Sequence, residues 1–444
     1  MRSASESGAV NATIISTGDE LIRGRIADTN AAFLAARLNA AGFAVLRAIT
    51  LGDDPAALAA ELRRSAADSA LILVTGGLGP TGDDRTRGAV AEAVGRPLVE
   101  CAESLRALTE RLRGYGRAVD ERQRAQALFP EGSTVLPNGR GTARGFACRM
   151  ADAWIVVMPG VPGEMRAMFL ESVTPFLERE LAPGVAVRSE TVHLFPIAEP
   201  DADARVADLM APEANPLVGI TVSGGIVTIS LRASAPSARQ AEDVLARHLE
   251  IVQERFGGLV FGRGPVTLAR ALSVELERTG ATVAVAESLT GGLVGSLLVV
   301  VPGISRFFLA DVVAYSNESK KTLLGVPREL IERHGAVSAQ VAGAMARGVC
   351  RVSGARLGLA TTGIAGPDGG SAAKPVGLVY VAVQWDGRRA VARFQLPGDR
   401  ARVRDRAAKH ALNMGRLALL RGVDDPALAP GAVEVQTAGC EDIP

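Results

Sequence analysis

Aromatic residues are scarce in this 444-residue chain: Trp, Tyr and Phe make up 4% of it, against 48% hydrophobic residues overall. The deficit argues against an aromatic-rich β-sandwich and points to α/β layers built from Ala, Val, Leu and Ile. Cysteine is also rare. Cys101, Cys148, Cys350 and Cys440 stand far apart with no C-x-x-C pair, so the expectation is reduced thiols rather than a zinc site or a disulfide framework. The net charge is +1 without a basic block, which offers no electrostatic footprint for nucleic acid. Long apolar runs are missing as well. A membrane span needs about 20 residues, and the best candidate, Leu297–Val301, runs at once into Pro302-Gly303. The leader MRSASESGAVNATIIS lacks the apolar centre of a signal peptide. A soluble, cytoplasmic protein without a membrane partner is expected.

The length suits about three domains at ~150 residues each. From residue 12, strand-like runs (NATIIST, FAVLRAITL, ALILVTGG, AWIVVMPG) alternate with helical ones such as NAAFLAARLNAAG. That alternation predicts a doubly wound α/β domain over 1–181. Residues 182–262 differ: LVGITVSGGIVTISLRA reads as a hairpin and SARQAEDVLARHLEIVQERFG as an amphipathic helix, so a small α+β module is expected. A second doubly wound α/β domain follows over 263–422, with a loose Pro/Gly/Ala-rich tail over 423–444. The predicted class is therefore α/β, with two doubly wound domains joined by the small module.

In the third domain AESLTGG places Ser288, Thr290 and Gly291 just after an apolar strand. Carboxyl ends of parallel strands are where such folds bind ligands, because helix N-termini there expose free N–H groups. Ser288 can be a nucleophile with an oxyanion site at the TGG turn, or it can merely cap a helix. No histidine lies near these loops in sequence. AYSNESKK offers Tyr315 and Lys320 instead, and a desolvated lysine can serve as a base. The same stretch also reads as an ordinary solvated helix. TTGIAGPDGG adds Thr362 and Gly363, and GDRARVR places Arg400 near a helix start, as a phosphate ligand or as part of a charged face.

In the first domain Asp19-Glu20, Asp53-Asp54 and Asp83-Asp84 each follow a predicted strand, close to Gly76-Gly77. Carboxylates beside glycine-rich donors suit a divalent cation and a phosphorylated ligand; alternatively these residues are caps and turn formers. No GxxxxGK[ST] occurs, so a P-loop is excluded.

AESLTGG, PGISRFF, AYSNESKKTLLGV, HGAVS, TTGIAGPDGG, KPVGLVYVAV and GDRARVR, in that order, resemble the C-terminal domain of the CinA (competence/damage-inducible protein A) family. STGDELIRGRIADTNAAFLAARL, LVTGGLGPTGDDRT and VMPGVPGEM resemble its N-terminal domain, which shares a fold with molybdopterin-binding proteins. The resemblance implies a nicotinamide-nucleotide amidase without a cofactor in the C-terminal domain. There Ser288 would be acylated, Tyr315 and Lys320 would assist proton transfer, and Thr290, Gly291, Thr362, Gly363 and Arg400 would hold the substrate. For the N-terminal domain it implies hydrolysis of ADP-ribose to AMP and ribose 5-phosphate, dependent on a divalent metal. Asp19, Asp83 and Asp84 are the expected metal ligands, and Asn30, Asp53, Gly76, Gly77 and Thr86 the expected substrate residues. The middle module would be KH-like; lacking a GxxG loop with basic flanks, it is assigned a structural role rather than a nucleic-acid one. A homodimer acting on small-molecule nucleotides is expected. A competence- or damage-linked regulatory protein and a binder of a molybdopterin precursor are the competing readings.

Overall fold

The computed structural model describes residues 10–439, apart from Tyr115 and Ala182. Cys440 and the first nine residues lie outside the described residues. The chain packs into two compact units: one runs to Ser189 and adds Ala233–Val244, the other comprises Glu190–Arg232 and the chain from Leu245 onward.

In the first unit the strands are β1 (Val10–Thr17), β2 (Phe43–Leu51), β3 (Leu71–Thr75), β4 (Leu98–Glu100), β5 (Leu128–Pro130), β6 (Thr134–Leu136), β7 (Gly145–Met150) and β8 (Ala153–Met158). Six of them form a sheet in the order β2-β1-β3-β8-β7-β6. β2, β1, β3 and β8 are parallel. β3, LILVT, is buried along its whole length, as expected of a strand covered on both faces. β7 runs antiparallel to β8 because Ala151-Asp152 joins the two directly, with no crossover helix, and β6 pairs antiparallel with β7. The helices are set by their caps. Asp28 accepts from Ala31 N–H at the start of Thr29–Ala40, and Asp54 from Ala56 N–H at the start of Pro55–Ser65. Leu34, Leu38, Met165 and Phe176 fill one face of the sheet; Leu58, Leu62, Val90 and Phe129 fill the other.

A four-stranded sheet follows, in the order β10-β11-β9-β12, from β9 (Ala186–Leu194), β10 (Leu217–Ser223), β11 (Ile226–Ala235) and β12 (Val260–Arg263). The predicted hairpin turns at Gly224-Gly225, with φ of 54° and 75°, and it brings Ser223 opposite Ile226.

The C-terminal sheet has the order β14-β13-β15-β16-β17-β18. Its strands are β13 (Val283–Glu287), β14 (Phe308–Val313), β15 (Leu357–Gly363), β16 (Leu378–Trp385), β17 (Arg388–Gln395) and β18 (Glu434–Gly439). β14, β13 and β15 are parallel, and the rest form an antiparallel meander. The predicted loose tail is corrected at residues 434–439, which pair antiparallel with β17 as the edge strand of the sheet. The helices Leu268–Thr279 and Arg400–Arg421 cover one face, and Ala339–Ser353 covers the other.

Candidate functional site

Ser288 stands immediately after β13. Its N–H donates to Thr361 O on β15 (3.0 Å), so the adjacent parallel strand fixes the backbone at this position. The chain then closes a turn, with Gly291 N–H donating to Ser288 O (3.2 Å). Gly291 and Gly292 have φ of 61° and 88°, where any side chain would be strained. The turn feeds the helix Leu293–Val299. Gly292 N–H is taken by Glu287 Oε2 (2.9 Å). Among the described residues no hydrogen bond uses the N–H groups of Leu289 and Thr290. These two are therefore the donors open to an oxyanion. Of the TGG turn, the N–H groups of Gly291 and Gly292 are already engaged and that of Thr290 is not.

Lys320 lies on the helix Asn317–Leu324, which starts with a reciprocal capping box between Ser316 and Ser319. Its side chain is only 1% exposed. Nζ donates to Ala314 O (2.8 Å), Tyr315 O (3.1 Å) and Ser288 Oγ (3.0 Å). Burial pulls the ammonium down to about 8. In the neutral form, two N–H groups can stay on the two carbonyls while the lone pair accepts from the Ser288 hydroxyl. That is the arrangement of a nucleophile and its general base.

Tyr315 is placed differently from expectation. Ala314 is buried, the next side chain turns outward, and the Tyr315 phenol is 60% exposed. Its hydroxyl accepts from Arg400 Nη2 (3.0 Å), and Arg400 Nη1 donates to Gly366 O (2.8 Å). Tyr315 supports Lys320 through its main-chain carbonyl, and its hydroxyl pairs with Arg400. The hydroxyl of Thr290 shares a hydrogen bond with Thr361 Oγ1 (2.6 Å), and its carbonyl accepts from Arg404 Nη2 (2.7 Å). Thr362 Oγ1 donates to Ala336 O (2.9 Å). A β-carbon on Gly363 would come within 2.7 Å of Leu378 O. The hydroxyls of Thr290 and Thr362 are thus already partnered.

In the first unit Asn30, Asp53, Thr75, Gly76, Gly77, Asp83, Asp84 and Glu164 line one cavity of about 430 Å³. Asp19 and Asp53 interlock: Asp19 N–H donates to Asp53 Oδ2 (3.1 Å) and Asp53 N–H to Asp19 Oδ1 (3.3 Å). Partial burial, with Asp19, Glu20 and Asp83 nearby, raises the Asp53 carboxyl. Asn30 Nδ2 ties Thr75 Oγ1 (3.1 Å) to Gly160 O (2.7 Å), which leaves its buried Oδ1 without a partner. Gly76 N–H goes to Met158 O (3.1 Å), and Thr86 N–H to Gly77 O (3.2 Å). Thr86 packs so closely that a β-carbon on Gly77 would stand 2.2 Å from its Oγ1.

Comparison with known proteins follows this division. The model described as "CinA C-terminal domain" matches residues 266–419, "Probable molybdopterin binding domain" matches 13–179, and "Damage-inducible protein CinA KH domain" matches 189–262. A CinA-like protein of Geobacter sulfurreducens is 41% identical over 407 residues, covering 91% of this chain and 98% of its own length. The chain belongs to the CinA family. A second CinA-like protein, from Gemmatimonas aurantiaca, is 41% identical over 419 residues, 94% of this chain and 98% of its own. Among solved structures, competence/damage inducible protein CihA from Agrobacterium tumefaciens is 38% identical, covers 35% of this chain and 94% of its own, and superposes with a TM-score of 0.34.

The three carboxylates expected to hold a metal stand as follows. Among the described residues no group of three His, Cys, Asp or Glu side chains converges to hold an ion. Asp84 Oδ1 accepts from Gly79 N–H (2.7 Å), and Oδ2 from Thr81 N–H (2.8 Å) and Thr81 Oγ1 (2.5 Å). Asp19 Oδ2 is paired with Arg23 Nη2 (2.6 Å). Asp84 thus clasps the glycine loop. No helix among the described residues is long and apolar enough to cross a membrane.

The sequence reading missed Glu287 and Asp311. Each is a carboxylate inside or ending an otherwise apolar strand, VAVAE and FLADVV, and an acid on a buried strand was the available signal.

Proposed function

We propose that the C-terminal unit hydrolyses nicotinamide mononucleotide to nicotinate mononucleotide and ammonia. The carrying observation is Lys320 Nζ, buried, held on two carbonyls and 3.0 Å from Ser288 Oγ. Ser288 Oγ attacks the carboxamide carbon as its proton passes to Lys320 Nζ. The N–H groups of Leu289 and Thr290 stabilise the oxyanion; such a donor contributes ~3 kcal/mol to transition-state stabilisation. The C–N bond breaks, Lys320 returns its proton to the leaving nitrogen, and ammonia departs. Water, deprotonated by Lys320, then cleaves the acyl-Ser288 ester. The overall reaction balances with water alone, without a cofactor. Arg400, braced on Gly366 O and the Tyr315 hydroxyl, is the phosphate-side group. The test is ammonia release from nicotinamide mononucleotide by the full chain and by Lys320→Met, which should be nearly inactive. A fully active Lys320→Met would end the base assignment.

We further propose that the N-terminal unit hydrolyses ADP-ribose to AMP and ribose 5-phosphate. Asp53, its carboxyl raised among Asp19, Glu20 and Asp83 in the glycine-lined cavity, favours this reading. It is the group suited to take a proton from the attacking water as the bridging P–O bond breaks. Any cation acting here would draw most of its oxygen shell from water and the diphosphate. Asp53→Asn should abolish AMP production by the full chain. If the parent makes no AMP with any divalent cation supplied, the unit is a binding module instead, and a bound pterin recovered with the protein would name its ligand class.

A further inference from the structure

Two carboxyl groups lie behind Ser288 and take no part in the reaction proposed above. Glu287 is fully buried at the end of β13. Both of its oxygens accept main-chain N–H groups, Oε2 from Gly292 (2.9 Å) and Oε1 from Gly295 (2.9 Å). Asp311, on β14, pairs with Val285 in the parallel register, so its side chain falls on the same sheet face as Glu287. The two carboxyl groups meet at Gly295, whose N–H Glu287 Oε1 accepts, and Asp311 Oδ1 is buried without a hydrogen-bond partner. Gly295 provides the room: a β-carbon there would stand 2.2 Å from Asp311 Oδ2. Burial, followed by the charge of Glu287, pushes the Asp311 carboxyl up to about 7. Two carboxylates in contact away from water repel strongly if both are ionised, and a charged Asp311 would leave Oδ1 buried and unpaired.

We propose that Glu287 and Asp311 share a single proton, carried by Asp311 and donated to Glu287, and that this pair positions the Ser288–Thr290 turn for acyl transfer. Asp311 is a positioning residue. It holds Glu287 on the N–H groups of Gly292 and Gly295, and that hold fixes the start of the helix behind the nucleophile. It also leaves the N–H groups of Leu289 and Thr290 as the donors that a developing oxyanion meets. The effect on rate rests on the amidase reading; the shared proton does not.

The experiment compares full-length parent, Asp311→Asn and Asp311→Leu. Asparagine keeps a donor toward Glu287, and leucine removes it. Infrared difference spectra at about pH 6, below the Asp311 value of about 7, should show a protonated-carboxyl band in the parent that Asp311→Asn lacks. Asp311→Asn should keep ammonia release, and labelling of Ser288 by a fluorophosphonate, within roughly three-fold of the parent. Asp311→Leu should lower kcat and labelling about ten-fold or more with KM nearly unchanged. Absence of the acid band, or an Asp311→Asn as impaired as Asp311→Leu, overturns the proposal. If the parent releases no ammonia, the amidase reading fails, while the infrared band and the Ser288 labelling still decide the carboxyl pair.

Discussion

Lys320 Nζ lies 3.0 Å from Ser288 Oγ although the two residues are 32 positions apart in the chain. Among the described residues no carboxylate pairs with the amine: its other partners are two carbonyls, of Ala314 and Tyr315. An ammonium in that setting has lost water without gaining an opposite charge, and so its proton is held loosely.

The pH dependence follows from that sign. A base must be neutral to accept the serine proton, and burial brings Lys320 down to about 8. Ammonia release should therefore rise with pH up to a plateau above about 8 rather than near the ~10.4 of free lysine. Lys320→Met should lose that limb of the profile, with kcat down by about 10²-fold or more. A stopped series of initial rates across the pH range checks both.

Arg400 and Tyr315 should act on binding. Arg400→Ala removes a guanidinium braced by Gly366 O and the Tyr315 hydroxyl, and should raise KM for nicotinamide mononucleotide by about ten-fold with kcat little changed. Tyr315→Phe keeps the carbonyl that holds Lys320, so its kcat should stay within a few-fold of the parent. A large kcat loss in Tyr315→Phe would return the phenol to proton transfer.

Asp84→Ala separates a clasp from a metal ligand. The carboxylate accepts from Gly79 N–H, Thr81 N–H and Thr81 Oγ1. Losing these bonds at a partly exposed loop should destabilise the first unit by roughly 1–2 kcal/mol, read as a lower denaturant midpoint in the absence of any cation. Unchanged stability with weakened cation dependence of ADP-ribose hydrolysis would favour the ligand role.

Gly295→Ala tests the packing behind the nucleophile. The added methyl would meet Asp311 Oδ2 at 2.2 Å, with the Asp311 Cγ at 2.9 Å. Overpacking of that kind costs about 1–3 kcal/mol, and the thermal midpoint of the C-terminal unit should fall accordingly.

The sequence made some of this legible. Buried strands ending in glycine turns announced β1, β3, β13 and β15, and helix stops such as Gly280, with φ of 61°, marked ends correctly. Ser288 and Lys320 were readable because a nucleophile without a nearby histidine needs another base. Tyr315 was named for its phenol but contributes its carbonyl to Lys320, since residue type does not reveal which way a side chain turns at a strand end. The bonds of Asp84 to Gly79 and Thr81 were not legible, because they become apparent only when the loop closes. Glu287 and Asp311 went unread because their pairing depends on the register of β13 with β14. β18 was hidden by the Pro- and Gly-rich stretch before it, although EVQTAG has strand-like content.

Ammonia release from nicotinamide mononucleotide by Ser288→Ala, with fold checked by circular dichroism and nucleotide binding measured in parallel, tests the nucleophile directly. The substitution removes the hydroxyl and leaves Arg400 in place, so turnover should fall to the background of the uncatalysed reaction while binding stays within a few-fold of the parent. Ammonia release at the parent rate by a folded Ser288→Ala would contradict acyl transfer and return AESLTGG to the role of a helix cap.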